Sequence, residues 1–348
     1  MDLTDQKLVK LMNFEGGSYE GQFKGKKFHG FGAYRLINGD FYIGNFKNGL
    51  KHGLGLYKLA LDVEDQNIGE VFYKGSFKND IKDGKGQMRM FNGDNYDGDF
   101  KNNTFHGKGK LQFQSGDIYE GDFKDGKFHG MGVYIYDNKQ QYKGEFVNGK
   151  REGKGVLTSL IDDSKYVGDF MRDQKDGEGY QVIEGIEEFT GKFSENKRNG
   201  FGILKDLKKN QIYEGTFVND LKQGQDCLLK ILVPQPYEIK GTFKKGELIN
   251  GQAQLPDGSI YEGEFDRLIP HGKGTIKYKN GNDYRGQFVQ GVREGYGRFF
   301  DNRDNSLYEG DFKSDMFNGK GKYTFSDGSS FVGIFIDNIL DSKLNEES

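Results

Sequence analysis

The sequence predicts an all-β protein: an elongated, twisted single-sheet ribbon, or solenoid, of consecutive antiparallel β-hairpins. Three observations lead there. Tyr-x-Gly-x-Phe recurs at a period near 23 residues from one end of the 348-residue chain to the other. A Gly-x-Gly element begins nine residues after the glycine of that motif, at an offset that hardly varies. The composition holds 54 glycines, 30 Phe and 20 Tyr, yet no Trp and four prolines, and only 34% of residues are apolar. That is too little apolar surface for one large core and too much evenly spread aromatic surface for a disordered chain, so burial must proceed repeat by repeat.

The first strand of each repeat centres on one of fourteen glycines: Gly21, Gly44, Gly75, Gly98, Gly121, Gly144, Gly168, Gly191, Gly215, Gly241, Gly263, Gly286, Gly310 and Gly333. Seven of the thirteen intervals are 23 residues and three are 24, which marks a supersecondary element of fixed size. The Phe slot is Phe throughout, from Phe23 to Phe335, whereas the Tyr slot admits Phe189, Phe331 and Ile239. Tyr19, Gly21 and Phe23 point one way and Glu20, Gln22 and Lys24 the other, the alternation of a strand. Next come turn pairs such as Asn48-Gly49 and Asp125-Gly126, which supply the positive φ of short hairpins. The second strand carries Gly-x-Gly, and a looser connection such as Asn38-Gly39 or Asp257-Gly258 leads on. Nearly all length variation falls in that second connection, including an irregular insertion at 59–68. Glycine inside a strand weakens it, so its fixed placement implies that another group occupies the space of a Cβ. The rings of Tyr19, Phe23, Tyr119 and Phe123 are the expected occupants, lying over Gly21, Gly121 and their equivalents in the same or the next repeat. Stability then comes from nearest-neighbour stacking.

The run from Tyr119 to Gly132, YEGDFKDGKFHGMG, resembles the MORN repeat (membrane occupation and recognition nexus). The resemblance covers about residues 9–340, leaving 1–8 as an N-terminal extension and 341–348 as a polar C-terminal tail. It implies a ribbon of hairpins acting as a scaffold. Many family members append such repeats to a catalytic domain, for example a lipid kinase or a methyltransferase, and with repeats over nearly all of these residues no such domain is expected here. The pattern frays over 224–253, and Phe331 opens a last repeat with no Gly-x-Gly strand after it.

Chemistry finds few footholds. Fifty Lys and Arg against 53 Asp and Glu give a net charge of −3, so nucleic acid is not an expected partner. The acidic start lacks an apolar run and a cleavage site, the single Cys227 has no internal disulfide partner, and no apolar run approaches the roughly 18 residues of a membrane span. The expectation is a soluble cytoplasmic protein. His29, His52, His106, His129 and His271 share one slot before Gly-x-Gly. Equivalent residues lie two strands apart, on the order of 9–10 Å, whereas zinc ligands approach within about 2 Å, so these histidines read as structural and no metal is expected. No phosphate loop, dinucleotide fingerprint or nucleophile elbow is present. Neither a cofactor nor enzymatic activity is expected.

Three features bear on partners. Lys24, Lys47, Lys78, Lys101 and Lys124 share a slot in five successive repeats and form a ladder for anionic lipid, although Asp97, Asp99, Glu120 and Asp122 share their face. The apolar run Cys227–Pro234, with Leu228, Leu229, Ile231, Leu232 and Val233, reads either as local repacking or as a docking site. Phe331, Ile334, Phe335 and Ile336, with Ile339 and Leu340, read as an uncovered terminal edge that invites a partner strand or a second copy. The resemblance implies a noncatalytic scaffold in a cytoskeletal assembly. It points to the axoneme of a cilium or flagellum, as in the radial spoke head, or alternatively to a membrane-associated cortical or basal-complex scaffold that binds anionic phospholipids.

Overall fold

The computed structural model describes residues 10–60 and 70–344, which form β-strands, turns and short connections with no helix among them. The extension at 1–8, most of the insertion at 59–68 and the last four residues of the tail lie outside the described residues. The chain divides into two compact halves, residues 1–174 and 175–348. The first runs from β1 (Lys10–Phe14) to β14 (Lys165–Met171). The second runs from β15 (Gln174–Ile183), which starts at the boundary, to β29 (Ile339–Leu344). Within each half every strand pairs antiparallel with the next in sequence, so each half is an open meander of hairpins.

One repeat shows how the residues dictate this. In β10 (Ile118–Lys124) and β11 (Lys127–Ile135), Asp125 and Gly126 have φ of 51° and 80°, the two positive values a tight two-residue turn demands. Tyr119 faces Tyr134 and Gly121 faces Gly132, but the register slips after Gly121, so that Phe123 faces Phe128. The slip is a bulge, and Gly130, at φ 60°, supplies its backbone. Gly132 serves differently. A Cβ there would stand 2.5 Å from the Tyr119 hydroxyl oxygen and 2.6 Å from its ring. The two glycines of Gly-x-Gly thus answer to separate constraints, one of backbone and one of space.

In the regular repeats of each half the slot tyrosine lies flat across a cross-strand pair of glycines, Tyr213 differing in that its Gly215 meets Cys227, and the tyrosine hydroxyl donates to a carbonyl three residues on. Tyr119 reaches the Asp122 carbonyl at 2.8 Å, Tyr42 that of Asn45 at 2.9 Å and Tyr308 that of Asp311 at 2.9 Å. Two phenylalanines meet the ring edge-on. For Tyr119 these are Phe123 of the same repeat at 5.1 Å and Phe146 of the next at 5.2 Å. In the second half, Tyr284 meets Phe288 at 5.2 Å and Phe312 at 4.9 Å. The core of each half is therefore a zipper of T-shaped aromatic contacts on one face of the sheet.

A further slot completes the ring pocket. The residue two before the first glycine of Gly-x-Gly covers the tyrosine's outer face. Phe28, Phe105, Phe128 and Phe317 stack on it at 3.8–3.9 Å. In other repeats Lys82, Lys222, Arg151 and Arg293 place a cation 4.9–5.6 Å from the centroid. A ring face accepts either group, because its quadrupole attracts a cation much as its surface attracts another ring.

The second connection differs in class from the first. Gly39 donates to the Leu36 carbonyl at 3.0 Å and Leu36 to that of Asp40 at 2.9 Å, with positive φ only at Gly39 (87°). This is a type I turn followed by a glycine bulge. The Asp40 carboxylate then accepts the Tyr57 hydroxyl at 2.6 Å and the Ala60 N–H at 2.9 Å, tying one repeat to the next.

Two stretches depart from the sequence reading. The frayed pattern at 224–253 folds as ordinary strands: β19 (Leu221–Ile231) absorbs the irregularity in a bulge between Gly224 and Cys227, where Asp226 takes φ 54°. Beyond it, Ile239 fills the tyrosine slot and Leu248 the covering slot, both buried. The last repeat is also closed. β29, which includes the first four residues of the supposed tail, pairs with β28 (Ser330–Ile336), and Leu340 faces Phe335. Gly-x-Gly is dispensable there because Phe331 does not lie across a glycine pair. It stacks instead at 6.1 Å on Phe335, with Lys343 5.1 Å from its ring.

Candidate interaction surfaces

With one face given to the rings, the opposite face of each half is left to solvent and partners. In each repeat the two residues flanking the first-strand glycine and the two flanking the second glycine of Gly-x-Gly point there. They line up across strands into rows. Over the middle of the first half the rows alternate in sign. Lys85 pairs with Asp99 at 2.8 Å, Lys108 with Asp122 at 2.7 Å and Lys154 with Asp169 at 2.6 Å. Such exposed pairs contribute at most about 1 kcal/mol each. Nearer the N-terminus the rows turn apolar, and Phe31 (55% exposed) and Leu54 (67%) flank Ile43 and Leu56 in an open groove of about 520 Å³.

Lys24, Lys47, Lys78, Lys101 and Lys124 end the strands Gly17–Lys24, Phe41–Lys47, Phe72–Lys78, Asn95–Lys101 and β10, and all are exposed along the hairpin-turn margin of the first half. Asp99 and Asp122, which the sequence sets beside this row, are engaged by Lys85 and Lys108. None of the ion pairs among the described residues includes a lysine of the row.

The apolar run of β19 splits by strand alternation. Leu229 and Ile231 are buried with Cys227 in the ring face, so they belong to the core rather than to a docking surface. Leu228 points outward, half-buried, opposite Lys240, while Leu232 and Val233 are exposed just past the strand end. At the C-terminal edge Phe335 is likewise core. Phe331, Ile334 and Leu340 are half-buried, and Ile336 (52% exposed) and Ile339 (71%) face each other in the open.

The histidine slot reaches the next repeat's turn in some repeats only, since Nδ1 of His106, His129 and His271 is buried with no hydrogen-bond partner among the described residues. His29 Nδ1 accepts the Asn48 N–H at 3.5 Å, and in the same slot Glu152 accepts from Arg172 at 2.9 Å and Glu294 from Ser314 at 2.8 Å. Gln223 accepts likewise from the Lys245 N–H at 3.0 Å, whereas Asn318 donates its Nδ2–H to Asp337 at 3.1 Å, so the slot tolerates either hydrogen-bonding role.

Among curated proteins, the chain is 49% identical over 39 residues to the ALS2 C-terminal-like protein of Homo sapiens and 46% identical over 39 residues to that of Mus musculus. These matches span 11% of this chain and 4% of those proteins. Among solved structures, the TCP domain of SAS-4 (dCPAP) from Drosophila melanogaster, in complex with a proline-rich motif of Ana2 (dSTIL), superposes at a TM-score of 0.29 with 11% identity. It covers 46% of this chain and 85% of that one, and the likeness is too slight to bear on the fold. The MORN repeat matches twelve segments: 19–41, 42–60, 73–95, 96–118, 119–141, 142–159, 166–182, 189–206, 213–225, 261–283, 284–304 and 308–330. The two divergent repeats that it passes over are those with Ile239 and Phe331 in the tyrosine slot. Matched over more than half of its length, the chain belongs to the MORN repeat family, whose arrays are scaffolds for protein interaction or membrane association.

Proposed function

We propose that the chain is a noncatalytic scaffold that holds other protein subunits together in a cytoskeletal assembly, in the cytoplasm and most specifically in a ciliary or flagellar axoneme of the radial-spoke type. The observation that carries this reading is the free edge at β29. Its outer backbone groups have no strand partner among the described residues, and Ile336 and Ile339 lie exposed beside it. A partner strand, or the same edge of a second copy, would pair the backbone and cover both isoleucines. Burial contributes about 1.5–3 kcal/mol for each side chain before ordering costs. Ile336→Lys with Ile339→Lys should therefore reduce cosedimentation with detergent-extracted cytoskeletons severalfold while leaving the melting temperature nearly unchanged. Undiminished cosedimentation of the double variant would sink the edge as the contact.

A second reading, a cortical or basal-complex scaffold on anionic membrane, is favoured by the lysine row. Its five exposed lysines lack ion pairs, and each contributes on the order of 1 kcal/mol near an anionic surface. If the row binds membrane, flotation with phosphoinositide vesicles should weaken with salt and fall when the five lysines become Glu. We expect little flotation at physiological salt, and strong row-dependent flotation would reverse the order of the two readings.

A further inference from the structure

One row on the outward face of the second half breaks its own rule. It takes the residue before each first-strand glycine and the residue after each Gly-x-Gly. From Glu214 it runs through Leu228, Lys240, Gln252, Glu262 and Thr275 to Arg285 and Arg298, then Glu309, Lys322 and Val332. Unlike charges or neutral groups alternate along it except where Arg285 of β24 (Asp283–Val289) directly faces Arg298 of β25 (Val292–Asp301). Directly opposed residues hold their Cβ atoms about 4.5–5.5 Å apart, and like charges placed so repel. Both arginines are exposed, and none of the ion pairs among the described residues involves them or Lys273. The neighbouring row adds Lys273 opposite Gln287, and then Tyr296, which is 63% exposed. These groups and Thr275 line an open groove of about 500 Å³ that contains no carboxylate.

We infer that this groove receives a phosphorylated side chain of a partner protein. The reading rests on the scaffold function above and names the chemistry of one partner. Two adjacent guanidinium groups suit a single phosphomonoester, which carries close to two negative charges at neutral pH and offers three acceptor oxygens to forked donors. The exposed Tyr296 ring gives the segment around the phosphate a face to stack on. A membrane surface is the poorer occupant. It would require a broad field of one sign, and here Glu262 and Glu264 bound the cluster on one side and Glu309 and Asp311 on the other.

The probe is a fluorescein-labelled heptapeptide with phosphotyrosine between two Gly-Ala-Gly arms, titrated with the full chain at 0.15 M salt (roughly 8 Å screening length) and read by anisotropy. It should bind at least tenfold more tightly than its unphosphorylated twin. Arg285→Gln and Arg298→Gln should each remove most of that preference, and Lys124→Gln should leave it intact. Arg298→Lys, which keeps the charge but not the fork, should weaken binding severalfold, and it preserves the test if the Gln variants melt early. Equal affinity for the two peptides, or a preference indifferent to both arginines, overturns the proposal. So does displacement of the peptide by phosphoinositide vesicles at lipid concentrations where inorganic phosphate has no effect, because the groove would then belong to a membrane. Failure here with an intact β29 phenotype leaves the scaffold reading standing, since the two tests use different residues and different readouts.

Discussion

Replacing Gly121 with valine should cost about 3 kcal/mol or more, against no more than about 0.5 kcal/mol for Lys124→Ala three residues along the same strand. A Cβ at position 121 would stand 2.5 Å from the Gly132 Cα, 2.7 Å from the Met131 carbonyl oxygen and 2.7 Å from the Tyr119 hydroxyl. Two of those three neighbours are backbone, so no rotamer change relieves the clash. Either the strands separate or the tyrosine leaves its place, and with it go the edge-on contacts to Phe123 and Phe146. Because stability in a repeat array passes between neighbours, the damage should centre on β10 and β11 and fade with distance. Hydrogen exchange would map that gradient, and urea unfolding would give the magnitude. Equal midpoint shifts for the two variants would refute the ring-over-glycine packing.

The second large effect is on pH. Burial raises the hydroxyl pKa of Tyr19, Tyr73, Tyr261, Tyr284 and Tyr308 from 10.0 to about 12, and burial pushes Tyr42, Tyr96, Tyr119 and Tyr142 higher still. A folded pKa above the unfolded one means that the protonated form belongs to the fold. The associated stability is complete below pH 10 and is lost as pH rises from 10 through about 12. Each tyrosine ionised only on unfolding steepens the loss by up to about 1.4 kcal/mol per pH unit. With several per half, the array should unfold cooperatively within that window, and phenolate absorbance near 295 nm should rise together with the loss of strand signal. Tyrosines that titrate progressively while the strands persist would show the rings to be accessible in the folded state.

Much of this architecture was legible in the sequence because its constraints are steric and local. A Tyr-x-Gly-x-Phe strand, a two-residue turn and a second strand with paired glycines each leave residue-level marks, and all stand where the spacing set them. Other features were hidden because several residue types satisfy the same need. Phe128 and Arg151 cover a tyrosine ring equally well, and so the slot looks variable rather than fixed. The terminal strand escaped notice because Ile339–Leu344 lacks the glycines that other second strands need to fit beneath a tyrosine. Strand alternation also redistributed the candidate contacts. Leu229, Ile231 and Phe335 read as apolar exceptions in the sequence, yet each falls on the buried phase. Cross-strand register, which the sequence only implies, is what brings Arg285 and Arg298 together.

Within each half, the edge-on contact between a tyrosine and the following repeat's phenylalanine also bears on synthesis. Tyr19 closes against Phe46, Tyr42 against Phe77, Tyr73 against Phe100 and Tyr96 against Phe123, always toward the C-terminus. A hairpin leaving the ribosome therefore has its ring pocket open until roughly another repeat has been translated. At about 5–20 residues per second, that is a delay of a few seconds or less. At each moment only the newest hairpin is unfinished, and everything already made is sealed behind it. Growth of the nascent chain and closure of the core proceed in the same direction, and a pause in translation would leave a single aromatic pocket exposed rather than a whole unfolded domain.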